Sequence, residues 1–280
     1  MKESRREKQP DIWSAEGRRR RAAVFDTIVD DYERHRPGYP LEMFQTLQAL
    51  VAPAARVLEI GAGTGKATTG LAACGFRLVC LEPGANLAAA LRRNTAGFGN
   101  VEVLNVSFEA WPAEPGGFDA VTAAQSFHWT DPATRLQRAA LALKPGGVLA
   151  PFWNSPANDP SPLEDEIQQV YRRVTPELAA RFERRPVVSE HERWQSEFNA
   201  TGLFESVEVR GFPWSKTFAT EEYLALIGTY SENATLPQST RRELFDGLRS
   251  VIDAAGGKIT RDYVCRLHIG RIARSRSADR

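Results

Sequence analysis

The chain has 280 residues, 42% of them hydrophobic and 25% charged. That is enough for one large domain with a sizeable core, and it excludes collagen, coiled coil and wholesale disorder. Lys and Arg number 36 against 35 Asp and Glu, a formal net charge of +1, and so even a balance argues against a protein built mainly to coat nucleic acid.

The charge is uneven along the chain. Arg5, Arg6, Lys8 and Arg18 to Arg21 make a basic N-terminal tail over 1–22, and Arg274, Arg276 and Arg280 a basic C-terminal one over 273–280. Met1 to Pro10 is polar and lacks the apolar core of a secretory signal. No stretch approaches the ~18 uncharged apolar residues of a membrane span. The expected compartment is the cytoplasm. Cys74, Cys80 and Cys265 are too few and too widely spaced for a disulfide framework or a zinc site, and no metal is expected.

A short amphipathic helix is expected over Val24 to Tyr32. It breaks at Arg36-Pro37-Gly38-Tyr39-Pro40. Leu41, Phe44, Leu47 and Leu50 recur at helical spacing. Arg56 to Ile60 is a short apolar run, read as a buried strand, and Gly61-Ala62-Gly63-Thr64-Gly65 turns it into a helix over Lys66 to Cys74. A second strand is expected over Arg77 to Leu81, closed by Glu82-Pro83-Gly84, then a helix over Asn86 to Arg93. Strands over Val101 to Val106 and Phe118 to Ala124 follow. A helix over Pro132 to Leu143 ends at Lys144-Pro145-Gly146-Gly147, and a fifth strand covers Val148 to Trp153.

That alternation predicts parallel βαβ units in an open, doubly wound sheet, whose ligands sit beyond the C-terminal strand ends. Pro156 to Gly202 breaks the cadence with helical patterns near Leu163 to Arg173 and Glu190 to Thr201. Val207 to Phe218 looks like a strand with a bend at Pro213. Helices over Glu221 to Thr229 and Arg241 to Ala254 precede a last strand over Tyr263 to Ile272.

The glycine turn carries the chemistry. Without side chains a ligand can approach the backbone, and the following helix offers unpaired N–H groups. A P-loop needs G-x-x-x-x-G-K-[ST], but Ile60 stands at its first glycine and Ala67 at its Ser/Thr. The dinucleotide fingerprint G-x-G-x-x-G fails at Lys66, so NAD(P) is disfavoured. S-adenosylmethionine suits the site better. Glu59, just before the glycines, matches a cationic ligand, and Glu82 can take a ribose diol through its two oxygens.

Val57 to Gly65 resembles motif I of class I S-adenosylmethionine-dependent methyltransferases. With Tyr32 to Pro40, Gln125-Ser126-Phe127-His128-Trp129, Leu143 to Gly147 and Phe152-Trp153-Asn154, residues 24–272 resemble the trans-aconitate-methyltransferase-like bacterial subgroup. The resemblance implies a Rossmann-like seven-stranded sheet, its last strand antiparallel, in a single domain over 23–272. It implies a mostly helical cap from about 23–50, 155–200 and 219–256. Glu59, Gly61, Ala62, Gly63, Thr64 and Gly65 would then meet the methionine moiety, and Glu82 and Pro83 the ribose. Ser107 and Phe108 would bracket adenine, where many relatives carry Asp at the position of Ser107. Gln125 would also border the cofactor. Tyr32, Arg36 and Tyr39 match the segment that closes over the methionine end.

Methyl transfer is an in-line displacement, so positioning and exclusion of water dominate, and a base is needed only for an acceptor carrying a proton of high pKa. His128, past the fourth strand, is the candidate base, or it hydrogen-bonds a ligand, or it shapes the wall. Tyr32 is a second candidate catalytic group. Trp129, Trp153, Asn154, Tyr39 and Tyr230 are candidate acceptor contacts. The expected function is methyl transfer to a small-molecule O-, N- or C-nucleophile. Two rivals use the same fold: a cofactor-binding cyclase or rearrangement catalyst that does not methylate, and a nucleic-acid methyltransferase. The latter lacks the Asn/Asp-Pro-Pro-Tyr/Phe segment after the fourth strand.

Overall fold

The computed structural model describes residues 26, 29–157, 161–183 and 190–274. Helices α1 (Val29–His35) and α2 (Leu41–Leu50) lead into β1 (Arg56–Ile60), α3 (Thr68–Ala73), β2 (Arg77–Leu81), α4 (Ala85–Asn94) and β3 (Val101–Leu104). Then come β4 (Phe118–Ala124), a 3-10 turn (Phe127–Trp129), α5 (Arg135–Ala142), β5 (Leu143–Pro156), α6 (Pro162–Val174), α7 (Pro176–Glu183) and α8 (Glu190–Ala200). The chain finishes with β6 (Phe204–Ala219), α9 (Thr220–Gly228), α10 (Ser231–Ala234), α11 (Gln238–Ala254) and β7 (Lys258–Ile272).

The seven strands form one sheet in the order β3-β2-β1-β4-β5-β7-β6. β1 to β5 run parallel, and β7 lies antiparallel between β5 and β6. The expected Rossmann-like, doubly wound sheet with an antiparallel last strand is therefore present. The order reverses between β1 and β4, which opens a crevice beyond their C-terminal ends.

The central strands β1, β2, β4 and β5 are largely buried and apolar because both sheet faces are covered there, whereas the edge strand β6 is mostly exposed or half-buried. Adjacent residues of β1 show this: Val57 joins one core with Met43, Leu47, Leu71 and Phe152, under α2 and α3. Leu58 joins the other, with Leu136, Leu149, Trp194 and Phe198, under α5 and α8. A third core lies off the sheet, built from Ile167, Val170, Tyr171, Phe218, Tyr223, Leu244, Leu248 and Tyr263. It joins α6, α9 and α11 around the far ends of β6 and β7. Of the segments expected in the cap, α2 and α8 pack against the sheet, whereas α6, α9 and α11 share this separate core.

Several boundaries move for identifiable reasons. β5 starts at Leu143 because Leu143 pairs with Phe118 before a register shift, and Gly146 at φ +75° carries the chain through that irregularity. The bend expected at Pro213 does not interrupt the β6–β7 register, which runs unbroken from Ser206↔Arg271 to Ala219↔Lys258. β6 is an edge strand, where a missing N–H is tolerated. The first expected helix falls partly outside the described residues and continues to His35. Helices α7 and α10 were not expected.

Candidate functional site

The glycine turn is held from three sides. Gly61, Gly63 and Gly65 all have positive φ, at +64°, +59° and +97°. The amides of Gly61 and Ala62 donate to Leu81 O on β2. A Cβ at Gly61 would lie 2.7 Å from Ser126 Cβ, and one at Gly65 2.8 Å from Leu91 Cδ1. Both glycines are thus required by conformation and by contact. Ser126 donates its hydroxyl to Ile60 O, fastening the end of β4 to the turn. Asn94 Nδ2 donates to Thr64 O at 2.8 Å.

Glu82, 4% exposed at the end of β2, accepts from Gly63 N through Oε2 and from Gly84 N through Oε1, both at 2.8 Å. Two amides fix the carboxylate, and each oxygen keeps a lone pair. Burial raises its pKa, opposed by those two amides and reinforced by Asp26. Asp26 Oδ1 accepts from Asn86 N and Leu87 N at 2.9 and 3.0 Å, so the N-terminal segment caps α4 beside Glu82. Asn105 Nδ2 donates to the carbonyls of Glu82 and the exposed Pro83.

Glu59 is fully buried. Its Oε2 accepts from Thr68 Oγ1 at 2.7 Å and Cys80 Sγ at 3.6 Å. Burial pushes its pKa up to about 7, against those two hydrogen bonds. Glu59 Oε1 and Thr64 Oγ1 are buried polar atoms with no hydrogen-bond partner. Unsatisfied acceptors at a glycine turn, beside a carboxylate held ready for donors, fit a cationic ligand bearing hydroxyl groups. S-adenosylmethionine meets that description.

Ser107 Oγ accepts from Ala110 N, which leaves its own proton to donate. Phe108 is buried against Trp111, at 6.4 Å between ring centroids.

The far wall begins at Gln125, a non-glycine residue at φ +57°. Its Nε2 donates to Asn154 O at 3.3 Å. Asn154 Nδ2 donates to Gly38 O at 2.8 Å, and its Oδ1 accepts from Trp214 Nε1 at 3.1 Å. Asn154 therefore ties β5 to the N-terminal segment and to β6. Half-buried Tyr39 packs edge-on against Phe152 at 4.8 Å. Arg36 donates to Thr229 Oγ1 and O, at 2.8 and 2.9 Å, and lies 4.6 Å over the Tyr230 ring. Burial raises the pKa of Tyr230, with Arg36 and Arg261 opposing. Trp153 Nε1 donates to His128 Nδ1 at 3.1 Å, and Trp129 neighbours His128 at 4.6 Å. Tyr32 lies on α1, and its side chain lies outside the described residues.

Three groups thus emerge. Glu59, the glycine turn and Glu82 form one. Tyr39 packs on Phe152, Asn154 holds Gly38 and Trp214, and Arg36 lies over Tyr230. His128 and Trp129 lie beside Trp153, which is buried in the core under α5 and α8, the face opposite Phe152. Ser126 joins the glycine turn to Trp129, and Gln125 joins the end of β4 to Asn154. Asp26, Asn94, Thr229 and Trp214 are absent from the sequence reading. Only the Ser126 link had a signal, its place inside the segment after the fourth strand.

Comparison with known proteins agrees with this geometry. Residues 57–147 match the family model of a methyltransferase domain. An uncharacterized methyltransferase of Mycobacterium tuberculosis is 40% identical over 142 residues, 49% of this chain and 55% of that protein. The chain thus spans about half the length of that relative. An uncharacterized methyltransferase-like protein of Schizosaccharomyces pombe is 28% identical over 79% of this chain and 82% of its own. Among solved structures, one assigned as a type II methyltransferase from Anaeromyxobacter dehalogenans has a TM-score of 0.61 at 23% identity, covering 85% of this chain and 98% of that one. The [4+2]-cyclase SpnF has a TM-score of 0.53 at 12% identity, covering 90% and 96%. Residues 57–147, which supply the glycine turn and β1 to β4, thus match a methyltransferase domain, and the sheet around them has the fold of solved structures assigned as methyltransferases.

Proposed function

We propose that the protein transfers a methyl group from S-adenosylmethionine to a small-molecule acceptor held between the sheet edge and the α6–α9–α11 layer. The observation that carries this reading is the Gly63–Glu82–Gly84 clamp beside the unsatisfied Glu59 Oε1 and Thr64 Oγ1. Glu82 would hold the ribose hydroxyls, Pro83, Ser107 and Phe108 would border adenine, and Glu59, Thr64 and the three glycines would face the methionine end. Gln125, Tyr32 and Arg36 would close over it.

Bound S-adenosylmethionine supplies an electrophilic methyl group for in-line displacement. The chain's task is to orient the acceptor and exclude water. His128, Trp129, Trp153, Tyr39, Asn154 and Tyr230 would form the acceptor wall, and the third core would cover it as a cap on a single domain over 23–272. The finer likeness to trans-aconitate-methyltransferase-like bacterial proteins belongs to the same proposal, supported by Tyr32 to Pro40 and Gln125 to Trp129. So does a cytoplasmic location, supported by three free cysteines. Nucleic acid is not expected as a partner. The cyclase reading shares the fold, since SpnF has it, but nothing at the site favours it over methyl transfer.

Calorimetry with S-adenosylmethionine and S-adenosylhomocysteine tests the proposal, followed by an acceptor screen read as release of S-adenosylhomocysteine. Binding of neither ligand would sink it.

A further inference from the structure

We infer that Arg138 on α5 is the positioning residue for the adenine end of the ligand, and that it sets the preference of that end for adenine over hypoxanthine. The inference rests on the reading above, in which Ser107 and Phe108 border adenine.

After β3 the chain passes Glu82 and closes into a turn. Asn105 Nδ2 donates to the carbonyls of Glu82 and Pro83, at 2.8 and 3.0 Å, so this stretch adjoins the loop after β2. Trp111 N donates to Ser107 O at 2.9 Å and Ala110 N to Ser107 Oγ at 3.2 Å, which closes residues 107–111 into one unit. The turn is part of no strand or helix. Its place is therefore set by what holds it from outside.

Two ties bind it to β4 and α5. Arg138 Nη2 donates one proton to Phe108 O at 2.8 Å and the other to Trp111 O at 2.7 Å. Its guanidinium lies 5.4 Å over the Phe108 ring, which stacks on Trp111 at 6.4 Å and 17°. The second tie is Asp131 N, which donates to Glu109 Oε1 at 2.9 Å. Helix α5 is itself firmly seated, with Leu136 and Ala139 buried in the core beneath it. The loops after β3 and β4 are thus fixed to each other.

Arginine is a demanding residue for this place. One turn earlier, Arg135 has the carboxylate of Glu197. Half-buried Arg138 is in no ion pair among the described residues, and its buried Nε–H has no acceptor. A charge balanced only by carbonyl oxygens, with one donor left over, opposes folding. An apolar side chain would pack there without that penalty. What the guanidinium adds is the double hold on Phe108 and Trp111, and so the position of the turn.

Position matters because the two bases differ along one edge. Adenine presents an amino donor beside a ring nitrogen that accepts. Hypoxanthine presents a carbonyl beside a ring N–H that donates. A polar edge held in one place rejects the reversed pattern, since a mismatch leaves buried groups unpaired. A turn free to shift would accept both.

The test is calorimetric titration of the full chain with S-adenosylhomocysteine and with S-inosylhomocysteine, its deaminated analogue. The wild type should bind the first about tenfold more tightly, the discrimination that one unpaired buried group gives. Arg138→Met keeps an apolar stem and removes both donors. It should weaken S-adenosylhomocysteine about tenfold and bring the two affinities together. Arg138→Lys can still donate to both carbonyls and should recover most of the ratio. Damage to the fold alone would lower the melting temperature and leave the ratio as it is, so an unchanged ratio in folded Arg138→Met overturns the inference. If that variant does not fold, Glu109→Ala at the exposed second tie is read instead; the ratio should fall in the same direction, and a wild-type ratio there overturns the inference. A wild type that binds both ligands equally fails the inference and leaves the methyltransferase reading standing. Binding of neither fails that reading and the inference with it.

Discussion

Glu59→Gln should stabilise the ligand-free protein at alkaline pH and weaken cofactor binding at the same time. A glutamate ordinarily titrates near 4.5, and burial lifts Glu59 to about 7. At about 1.4 kcal/mol per pH unit, the ionised carboxylate costs the fold on the order of 3 kcal/mol. The sign follows from proton counting. Between about 4.5 and 7 the folded chain holds a proton that the unfolded chain has lost, so this group lowers stability as pH rises through that window. Glutamine has nearly the same shape, can accept from Thr68, and does not titrate. The stability gain of the variant should be small near pH 5 and approach 3 kcal/mol near pH 8, read by urea unfolding of both proteins at each pH. S-adenosylmethionine should raise the melting temperature of the wild type more than that of the variant, because a cation favours the ionised carboxylate. A gain that does not change with pH, or equal ligand stabilisation in both proteins, would refute the reasoning.

Three further substitutions probe the frame of the site. Gly61→Ala puts a methyl 2.7 Å from Ser126 Cβ at φ +64°, and should lower stability by about 2–3 kcal/mol and abolish cofactor binding; calorimetric binding at wild-type affinity would contradict the account of the turn. Glu197→Ala removes the carboxylate from Arg135, whose side chain is 4% exposed, and should cost about 3 kcal/mol in urea unfolding. In the Arg135→Met background the same change should cost far less. Asp26→Ala removes the cap of α4 and should lower stability by about 1 kcal/mol, with weaker binding of S-adenosylhomocysteine; an unchanged melting temperature would count against that capping role.

The fold was legible where periodicity and punctuation agree. All seven strands could be expected where short apolar runs ended at glycine or proline signals, and the βαβ cadence set the first strands parallel; the antiparallel last strand was implied only by the resemblance to class I methyltransferases. Misplaced ends share a cause. Leu143 to Gly147 looks like a helix stop followed by a gap, yet the ladder begins at once, since Leu143 finds Phe118 across the sheet. Pro213 signals a bend, yet an edge strand has a solvent side on which a missing N–H costs nothing. Helix α7, Pro176–Glu183, starts with a proline only two residues after α6 ends. Along the chain that proline looks like a break; in the fold it is the first residue of a new helix.

The site divides along a different line. Strand-end position identifies which residues reach the crevice, and that rule brought Glu59, Glu82, Gln125, His128 and Asn154 to one edge. It does not identify their partners. Arg36 and Thr229 are 193 residues apart and Asn154 and Gly38 116 apart, and each pair meets only because the segment between α1 and α2 packs against the end of α9 and against β5. Arg36 had looked like a candidate for a ligand carboxylate, but two of its donors are spent on Thr229 and its face on Tyr230. His128 gives the sharpest case. Seen in sequence, a histidine past a strand end can be a base, a donor or part of the wall, because its chemistry depends on which nitrogen holds the proton. His128 Nδ1 accepts from the indole N–H of Trp153, 25 residues on, and spacing along the chain contains no trace of that contact.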